Sequence, residues 1–148
     1  MSGITMSVAV HEAAHAVVAI NAGGFAEFIS LHPSDGRRAG CWISWPLDGD
    51  WTNGRLLSLA AGPAATAIFT RRGQAEAIFS TGVADCRRMR ELGGDEDDWF
   101  KIARAECRKS WPAILRVAEA AIAAGGYLCE ERIAEAVAAH REPHHDAA

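Results

Sequence analysis

The sequence predicts an α+β fold that is mainly helical, with one small antiparallel β-hairpin and a C-terminal bundle of helices. An apolar helical stretch at residues 8–20 begins the ordered chain and carries two histidines four positions apart. Two short runs that contain aromatic and β-branched residues follow, and each of them ends at a proline. The rest of the chain consists of helix-like segments separated by glycine and proline.

The first helix and the hairpin are bounded by local signals. Thr5 or Ser7 can cap the helix at its start, because a hydroxyl there accepts a hydrogen bond from an amide of the first turn. Gly23 and Gly24 end the helix, because glycine readily adopts the left-handed conformation found at helix ends. The hairpin consists of strands at residues 25–32 and 39–45, which a turn at residues 34–36 connects.

The remainder of the chain is predicted to be largely helical. Pro63 should kink or restart the first of these helices, because proline lacks an amide hydrogen. Residues 74–82 are typical of a short helix followed by a loop, and Asp85 is placed to open the next helix. The acidic run at residues 95–98 favours another helix start. The predicted helices span residues 52–70, 85–92, 95–109, 113–124 and 130–140.

Length and composition limit the classes of protein that fit this chain. Its 148 residues suit one domain at residues 1–140, followed by a tail at residues 141–148 that is predicted to be disordered. The net charge of −4 is mild and the arginine pairs are scattered, so we expect no nucleic-acid partner. No apolar run reaches the length of about 18 residues that a membrane span needs. Four widely spaced cysteines without a CxxC pair, and the lack of a targeting segment, predict a cytoplasmic protein.

The strongest functional signal is the HExxH pattern that His11, Glu12 and His15 form inside the first helix. Residues four apart share a helix face, so both imidazoles point to one place, as a tetrahedral zinc site requires. Glu12 lies beside them and can act as a general base toward the attacking water. The flanking residues are apolar nearly all round the helix, and buried histidine and glutamate need partners, which favours a Zn²⁺ cofactor.

Two histidines leave a catalytic zinc site one protein ligand short. A metzincin would carry a glycine and a third histidine where this chain has Val18 and Asn21, so that class is excluded. A thermolysin-like site would take a glutamate from a downstream helix, for which Glu76 and Glu91 are candidates. His32 and an aspartate are the other options, and the local pattern does not choose among these residues.

Three segments, in order along the chain, resemble the peptidase domain of the FtsH-type ATP-dependent zinc metalloproteases. Residues 10–17 are similar to the family's HEAGH helix, with an alanine in place of the glycine. Residues 59–66 are similar to its LGGRAAE-like segment, with Thr66 in place of the glutamate. Residues 81–85 are similar to its TGAxND segment, in which the aspartate is a zinc ligand. The resemblance therefore implies that Asp85 is the third metal ligand, with His11 and His15.

The same resemblance implies a zincin-like fold and the activity of a zinc-dependent endopeptidase. Glu12 would take a proton from water and pass it to the leaving amine. Peptides or unfolded protein segments would be the substrates, because the chain has no GxxxxGK[ST] motif and the family's unfolding activity does not carry over. An ATPase partner acting in trans and a homo-oligomer remain open.

Two other interpretations stand beside the peptidase. The first is a catalytically silent zinc-binding module with a regulatory or interaction role, in which His32 or a cysteine would complete the metal site. The presence of Glu12 argues against it, because a structural site needs no general base. The second is a helical scaffold without metal, which requires the HExxH pattern to be accidental.

The second strand of the hairpin offers a further functional prediction. Its edge can bind an extended peptide by β-augmentation, in which the peptide adds a strand to the sheet. The competing interpretation is that Trp42 and Trp45 make core or oligomer contacts. The sequence favours neither.

Overall fold

The structure, a computed structural model, describes residues 5–32 and 39–141. The predicted turn at residues 34–36 and residues 142–148 of the predicted tail lie outside the described residues. Helices make up most of the described chain and three short strands form an antiparallel sheet, which confirms a mainly helical α+β class. The helices are α1 (Met6–Asn21), α2 (Thr52–Thr70), α3 (Gln74–Ala77), α4 (Val83–Glu91), α5 (Glu96–Lys109), α6 (Trp111–Ala123) and α7 (Glu130–Arg141), and the strands are β1 (Phe25–Ser30), β2 (Gly40–Ser44) and β3 (Tyr127–Cys129).

The sheet contains a third strand that the sequence analysis did not predict. β1 lies in the centre, with β2 on one side and β3 on the other. Gly125 and Gly126 precede β3, and their positive φ angles of 79° and 101° turn the chain back toward β1. Leu128 then lies opposite Ile29 and is buried in the core. A strand of 3 residues is too short to show the alternation on which a sequence-based assignment depends.

Helix α1 forms the centre of the core. Its residues from Ala9 to Ala19 are buried, and α2, α6 and the sheet pack around it. Thr5 caps its start by accepting a hydrogen bond from the amide of Val8 at 3.3 Å, so the first of the two predicted caps is used. Because α1 is enclosed in this way, the two histidines and Glu12 must find their partners inside the molecule.

Helix α2 runs beside α1 and has the predicted bounds. Pro63 lies inside α2, and the helix continues past it without the predicted restart. Proline at this position removes the one hydrogen bond that an amide there would donate to the carbonyl of Leu59. Small side chains in the central turns allow the backbones of α1 and α2 to approach closely; these buried residues are Ala60, Ala61, Gly62, Ala64 and Ala65.

The segment between α3 and α4 corrects the predicted loop. Residues Ile78–Gly82 form a π-helical turn, so the chain from residue 74 to residue 91 is helical throughout. Helix α4 begins at Val83, and Asp85 therefore lies within its first turn instead of opening it. A π turn contains one residue more than an α turn, so it rotates the side chains that follow by about 100° around the helix axis.

The C-terminal helices pack mainly on the first two helices and on the sheet. Helix α5 lies against α2, α6 lies against α1, and α7 lies against α6 and β1. Asp95 caps α5 by accepting a hydrogen bond from the amide of Asp98 at 3.1 Å, so the acidic run does begin a helix. Within the described ranges, none of the helices is both long enough and apolar enough to cross a membrane.

Candidate metal centre

Three side chains from two helices meet in the core beside α2. His11 and His15 extend from one face of α1, and Asp85 extends from the first turn of α4. The Nε2 atoms of the two histidines are 3.1 Å apart. The Oδ2 atom of Asp85 lies 3.1 Å from Nε2 of His11 and 3.3 Å from Nε2 of His15. These three donor atoms form a triangle that can hold a metal ion.

The size of this triangle is compatible with a tetrahedral zinc ion. Zinc binds nitrogen and oxygen donors at about 2.0–2.2 Å, so neighbouring donors of a tetrahedral site lie roughly 3.3–3.6 Å apart. The three observed separations, 3.1, 3.1 and 3.3 Å, lie at or just below this range. Two imidazoles and one carboxylate also match the donor sets of catalytic zinc sites, which keep a fourth position open. Among the described residues, no fourth histidine, cysteine or acidic side chain joins the group.

Thr66 determines which nitrogen of His11 faces the triangle. The Thr66 hydroxyl donates its hydrogen to the carbonyl of Gly62 at 3.0 Å, so its oxygen is left as an acceptor. Nδ1 of His11 lies 3.1 Å from that oxygen and must therefore carry the proton. With Nδ1 turned to Thr66, Nε2 faces the other two donor atoms, and on metal binding it would offer its lone pair to the ion.

His15 is oriented in the same sense by a backbone carbonyl. Its Nδ1 donates to the carbonyl oxygen of Ser58 at 2.6 Å, so its Nε2 also faces the triangle. Burial by itself lowers the pKa of His15. The neighbouring Asp85 carboxylate, the charge of Glu12 and the Ser58 carbonyl outweigh burial and raise the pKa to about 9.

Asp85 is held in its ionised form by the two imidazoles. Burial acts to raise the pKa of this carboxyl, but the charge of His15 and the hydrogen bonds from both histidines hold the pKa well below its usual value. Without a metal, the group is thus an imidazolium beside a carboxylate at neutral pH. A divalent cation can replace the proton between them, because all three donor atoms already converge.

Gly62 allows α2 to approach the histidines. A Cβ atom at this position would lie 2.4 Å from Nε2 of His15 and 2.7 Å from Nε2 of His11. Both distances are shorter than a non-bonded contact permits, so any larger residue would displace the rings from the triangle. The requirement for glycine here comes from packing, since Gly62 lies within a regular helix.

Asp85 reaches the triangle because the π-helical turn packs against α2. A Cβ atom on Gly82 would lie 2.7 Å from Cγ of Pro63, so the two segments are in close contact at this point. Asp85 follows three residues after Gly82, on the turn that this contact positions. The placement of the acidic ligand therefore depends on contacts between α2 and the π-helical turn.

Glu12 lies beside the histidines in a cleft of about 690 Å³. The residue is only 7% exposed, and its charge acts on two neighbours. It contributes to the raised pKa of His15, and, after burial, it helps to raise the pKa of Cys41 on β2 well above its usual value. The Glu12 carboxylate thus lies near enough to both His15 and Cys41 for its charge to act on them.

The cleft has one wall from the sheet and one from α4. Strand β2 is an edge strand, because within the described residues it pairs only with β1. Ile43 and Trp45 face the cleft, whereas Trp42 stacks on Phe28 with ring centroids 4.3 Å apart. Trp42 is therefore a packing residue of the sheet. Trp45 also packs, on Trp51 with ring centroids 6.0 Å apart, but Trp45 and Ile43 are only partly buried and both line the cleft.

The structure separates the alternative third ligands from the histidine pair. Nε2 of His32 contacts the backbone carbonyl of Gly125. Glu76 lies 3.5 Å from Arg72 in a surface ion pair. Glu91 lines the cleft but is not a member of the metal-binding group. Asp85, the residue implied by the resemblance, is the acid that joins the histidines.

Sequence reasoning missed the residues that orient the ligands. The sequence distinguishes Thr66 only by its difference from the glutamate of the FtsH-type family, and that difference does not indicate a role. The spacing of four residues between Gly62 and Thr66 is a signal for the hydroxyl-to-carbonyl hydrogen bond within a helix. No local pattern indicates that the same hydroxyl contacts His11, which is 55 residues away.

Comparison with known proteins adds no family to this description. No protein-family model matches the chain, and no curated protein matches it.

Proposed function

We propose that this chain is a zinc-dependent endopeptidase that hydrolyses peptide bonds in peptides or unfolded protein segments. The observation that carries the proposal is the convergence of three donor atoms from His11, His15 and Asp85 at zinc-compatible distances. Glu12 lies beside this group and lines the same cleft. The resemblance of three segments to the peptidase domain of the FtsH-type proteases supports the same assignment.

The residues of the cleft supply the proton transfers of the reaction. His11, His15 and Asp85 would hold a zinc ion, which would supply Lewis-acid chemistry toward the substrate carbonyl and the attacking water. Glu12 takes a proton from the attacking water, and later donates it to the amine that leaves. Asp85 balances the positive charge of the site, while Thr66 and Ser58 keep both imidazole rings turned toward the substrate.

The shape of the cleft supports an extended peptide as the substrate. Residues Cys41, Ile43, Ser44 and Trp45 of the β2 side line the cleft. An extended chain can pair with the open edge of β2 through backbone hydrogen bonds, which do not depend on side-chain identity. A folded protein cannot enter in this way, so substrates should be peptides or flexible segments, with or without an ATPase that delivers them.

The first experiment is to measure zinc per chain and peptide cleavage in the wild type, Glu12→Gln, His15→Ala and Asp85→Asn. We expect about one zinc per wild-type chain, and its loss in His15→Ala and Asp85→Asn. We expect Glu12→Gln to retain zinc and to lose at least about 100-fold in cleavage rate, because the amide cannot accept the proton. Glu119→Gln, an exposed substitution on α6 away from the cleft, is the matched control and should retain both properties.

Three outcomes would contradict the proposal in different ways. Absence of zinc from the reconstituted wild type would remove the metal centre. Zinc retained by Asp85→Asn at full affinity would mean that another residue is the third ligand. Zinc binding without any cleavage, and with no effect of Glu12→Gln, would favour the zinc-binding regulatory module instead.

A further inference from the structure

We propose that the cleft selects acidic peptide segments, and that Arg55 and Arg88 are the residues that select them. This inference rests on the proposed peptidase function, since it names the substrate class of the same cleft. It concerns binding, so it can be tested without turnover.

The two arginines lie on separate elements around the cleft. Arg88 follows Asp85 by three residues on α4, so the two side chains share a helix face, and both line the cleft. Arg55 lies in the first turn of α2. This turn packs against Trp45, the residue that follows β2, since a Cβ atom on the neighbouring Gly54 would lie 2.9 Å from the Trp45 ring.

Both guanidinium groups are available to a ligand. The two residues are exposed, and within the described parts of the chain neither has a carboxylate within 4.0 Å. Arg72, Arg90 and Arg132, in contrast, each form an ion pair with a glutamate. The influence of Arg55 within the molecule is slight: the pKa of exposed Asp50 is lowered by hydrogen bonds from Thr52, and the charge of Arg55 adds a smaller effect.

The walls of the cleft carry a positive excess away from the metal group. Among the described residues, the charged side chains of the cleft other than Asp85 and Glu12 are Arg55, Arg88 and Glu91. A Zn²⁺ ion at the centre would offset the two negative charges of Asp85 and Glu12, so the two arginines and one glutamate would leave the zinc-loaded cleft with a positive excess. Such an excess attracts acidic side chains and repels basic ones, whatever the net charge of the protein.

The two arginines lie at different distances from the metal group along their own helices. Arg88 is three residues from Asp85, or about 4.5 Å along α4, and Arg55 is seven residues from Gly62, or about 10 Å along α2. Both line the cleft, so acidic side chains on a bound peptide can meet either of them.

The test measures binding of short fluorescent peptides to the zinc-loaded Glu12→Gln protein by anisotropy. Three peptides share one sequence except at the positions flanking the centre, which carry glutamate, glutamine or lysine. We expect the glutamate peptide to bind about tenfold more tightly than the glutamine peptide, and the lysine peptide to bind most weakly. Salt at about 0.5 M should reduce the difference, because the guanidinium groups are exposed.

Charge reversal identifies the residues responsible. In the Arg55→Glu/Arg88→Glu variant, the lysine peptide should become the preferred ligand. Arg87→Glu is the matched control, because Arg87 is exposed, adjacent on the same helix and outside the cleft. This control should keep the same order of affinities for the three peptides. Glu91→Gln removes the one negative charge of the walls, so it should increase the affinity for the glutamate peptide relative to the glutamine peptide.

Failure of this inference differs from failure of the peptidase proposal. Equal affinities for the three peptides, no measurable binding of any of them, or an equal effect of Arg87→Glu would overturn the acidic preference. Cleavage by the wild type could still be observed in each case. Conversely, a zinc-loaded wild type that binds acidic peptides but cleaves none would retain the binding preference and overturn the peptidase.

Discussion

The imidazole of His11 has partners on both of its nitrogen atoms. Nδ1 donates to the hydroxyl of Thr66, and Nε2 lies 3.1 Å from Asp85. The side chain that orients the His11 ring is thus a neutral hydroxyl. A neutral partner adds no negative charge to the site, which leaves a bound cation more electrophilic.

This arrangement predicts different effects of two substitutions at one position. Thr66→Val keeps the shape of the side chain but removes the hydroxyl, so His11 loses the acceptor that fixes its proton. We expect zinc affinity to fall by about tenfold or more, as for other residues that orient metal ligands. Thr66→Ser keeps the hydroxyl and should retain most of the affinity. A competitive chelator titration gives both values, and equal losses in the two variants would show that Thr66 acts only through packing.

Gly62 provides a second prediction at the residue scale. Replacing glycine by alanine inside a helix normally stabilises a protein by about 0.5–1 kcal/mol. Gly62→Ala should instead lower the free energy of unfolding by about 1–3 kcal/mol, because its Cβ atom would lie 2.4 Å from Nε2 of His15. It should also abolish zinc binding. Gly73→Ala, at the N-cap of α3, is the control for an added methyl group without a steric contact, since a Cβ there meets nothing within 4 Å. Calorimetry that found Gly62→Ala no more destabilised than Gly73→Ala would contradict the packing argument.

At the scale of elements, the π-helical turn Ile78–Gly82 connects α2 to the metal centre. Gly82 packs on Pro63, and the following turn carries Asp85. Pro63 and Gly82 thus make the contact that positions one ligand, although neither contacts the metal site through a polar group. Their coupling can be tested by a double-mutant cycle.

Gly82→Ala should reduce zinc affinity by about tenfold, because the new Cβ would push the π-helical turn away from Pro63. The double variant Gly82→Ala/Pro63→Ala should recover part of this loss, since removing the proline ring makes room for the new methyl group. Zinc affinity and unfolding free energy are measured for all four proteins of the cycle. Simple additivity of the two substitutions would show that the two residues act independently.

At the scale of the whole molecule, the group of His11, His15 and Asp85 links α1 to α4, so the protonation of this group affects global stability. The raised pKa of His15 stabilises the metal-free fold fully below pH 6.5, and this contribution is lost as the pH rises from 6.5 through about 9. The lowered pKa of Asp85 contributes stability above pH 3.8, which is lost as the pH falls below that value. The metal-free protein should therefore be most stable between about pH 4 and 6.5.

We expect the thermal midpoint of the metal-free protein to decrease as the pH rises from 6.5 to 9. The corresponding loss in the free energy of unfolding is on the order of 3 kcal/mol. Saturating zinc should reverse this trend between pH 6 and 8, because the metal competes with the proton for His15. Differential scanning calorimetry across this range measures how the thermal midpoint changes with pH in the metal-free and in the zinc-loaded protein. Asp85→Asn is the control, since it removes the carboxylate that raises the pKa of His15, and an unchanged slope in this variant would contradict the assignment.

The elements that the sequence predicted well are those with strong local signals. The bounds of α2 agree with the prediction, and the last helix, predicted at residues 130–140, is found at Glu130–Arg141. β3 and the π-helical turn were missed, because a strand of 3 residues carries no alternation and a π turn has no sequence pattern of its own. Arg87 and Arg88 are both exposed, as expected for scattered arginine pairs, but no sequence pattern indicates that Arg88 lines the cleft and Arg87 does not.

By itself, the sequence determined the mainly helical class and the pairing of His11 with His15, because residues four apart on a helix share a face wherever that helix packs. Only the tertiary structure decided how the ligands are held and what surrounds them. Asp85 meets His11 across 74 residues of chain, and Thr66 meets it across 55. Contacts of this kind depend on how α1, α2 and α4 pack together, and no pattern within one segment records that packing.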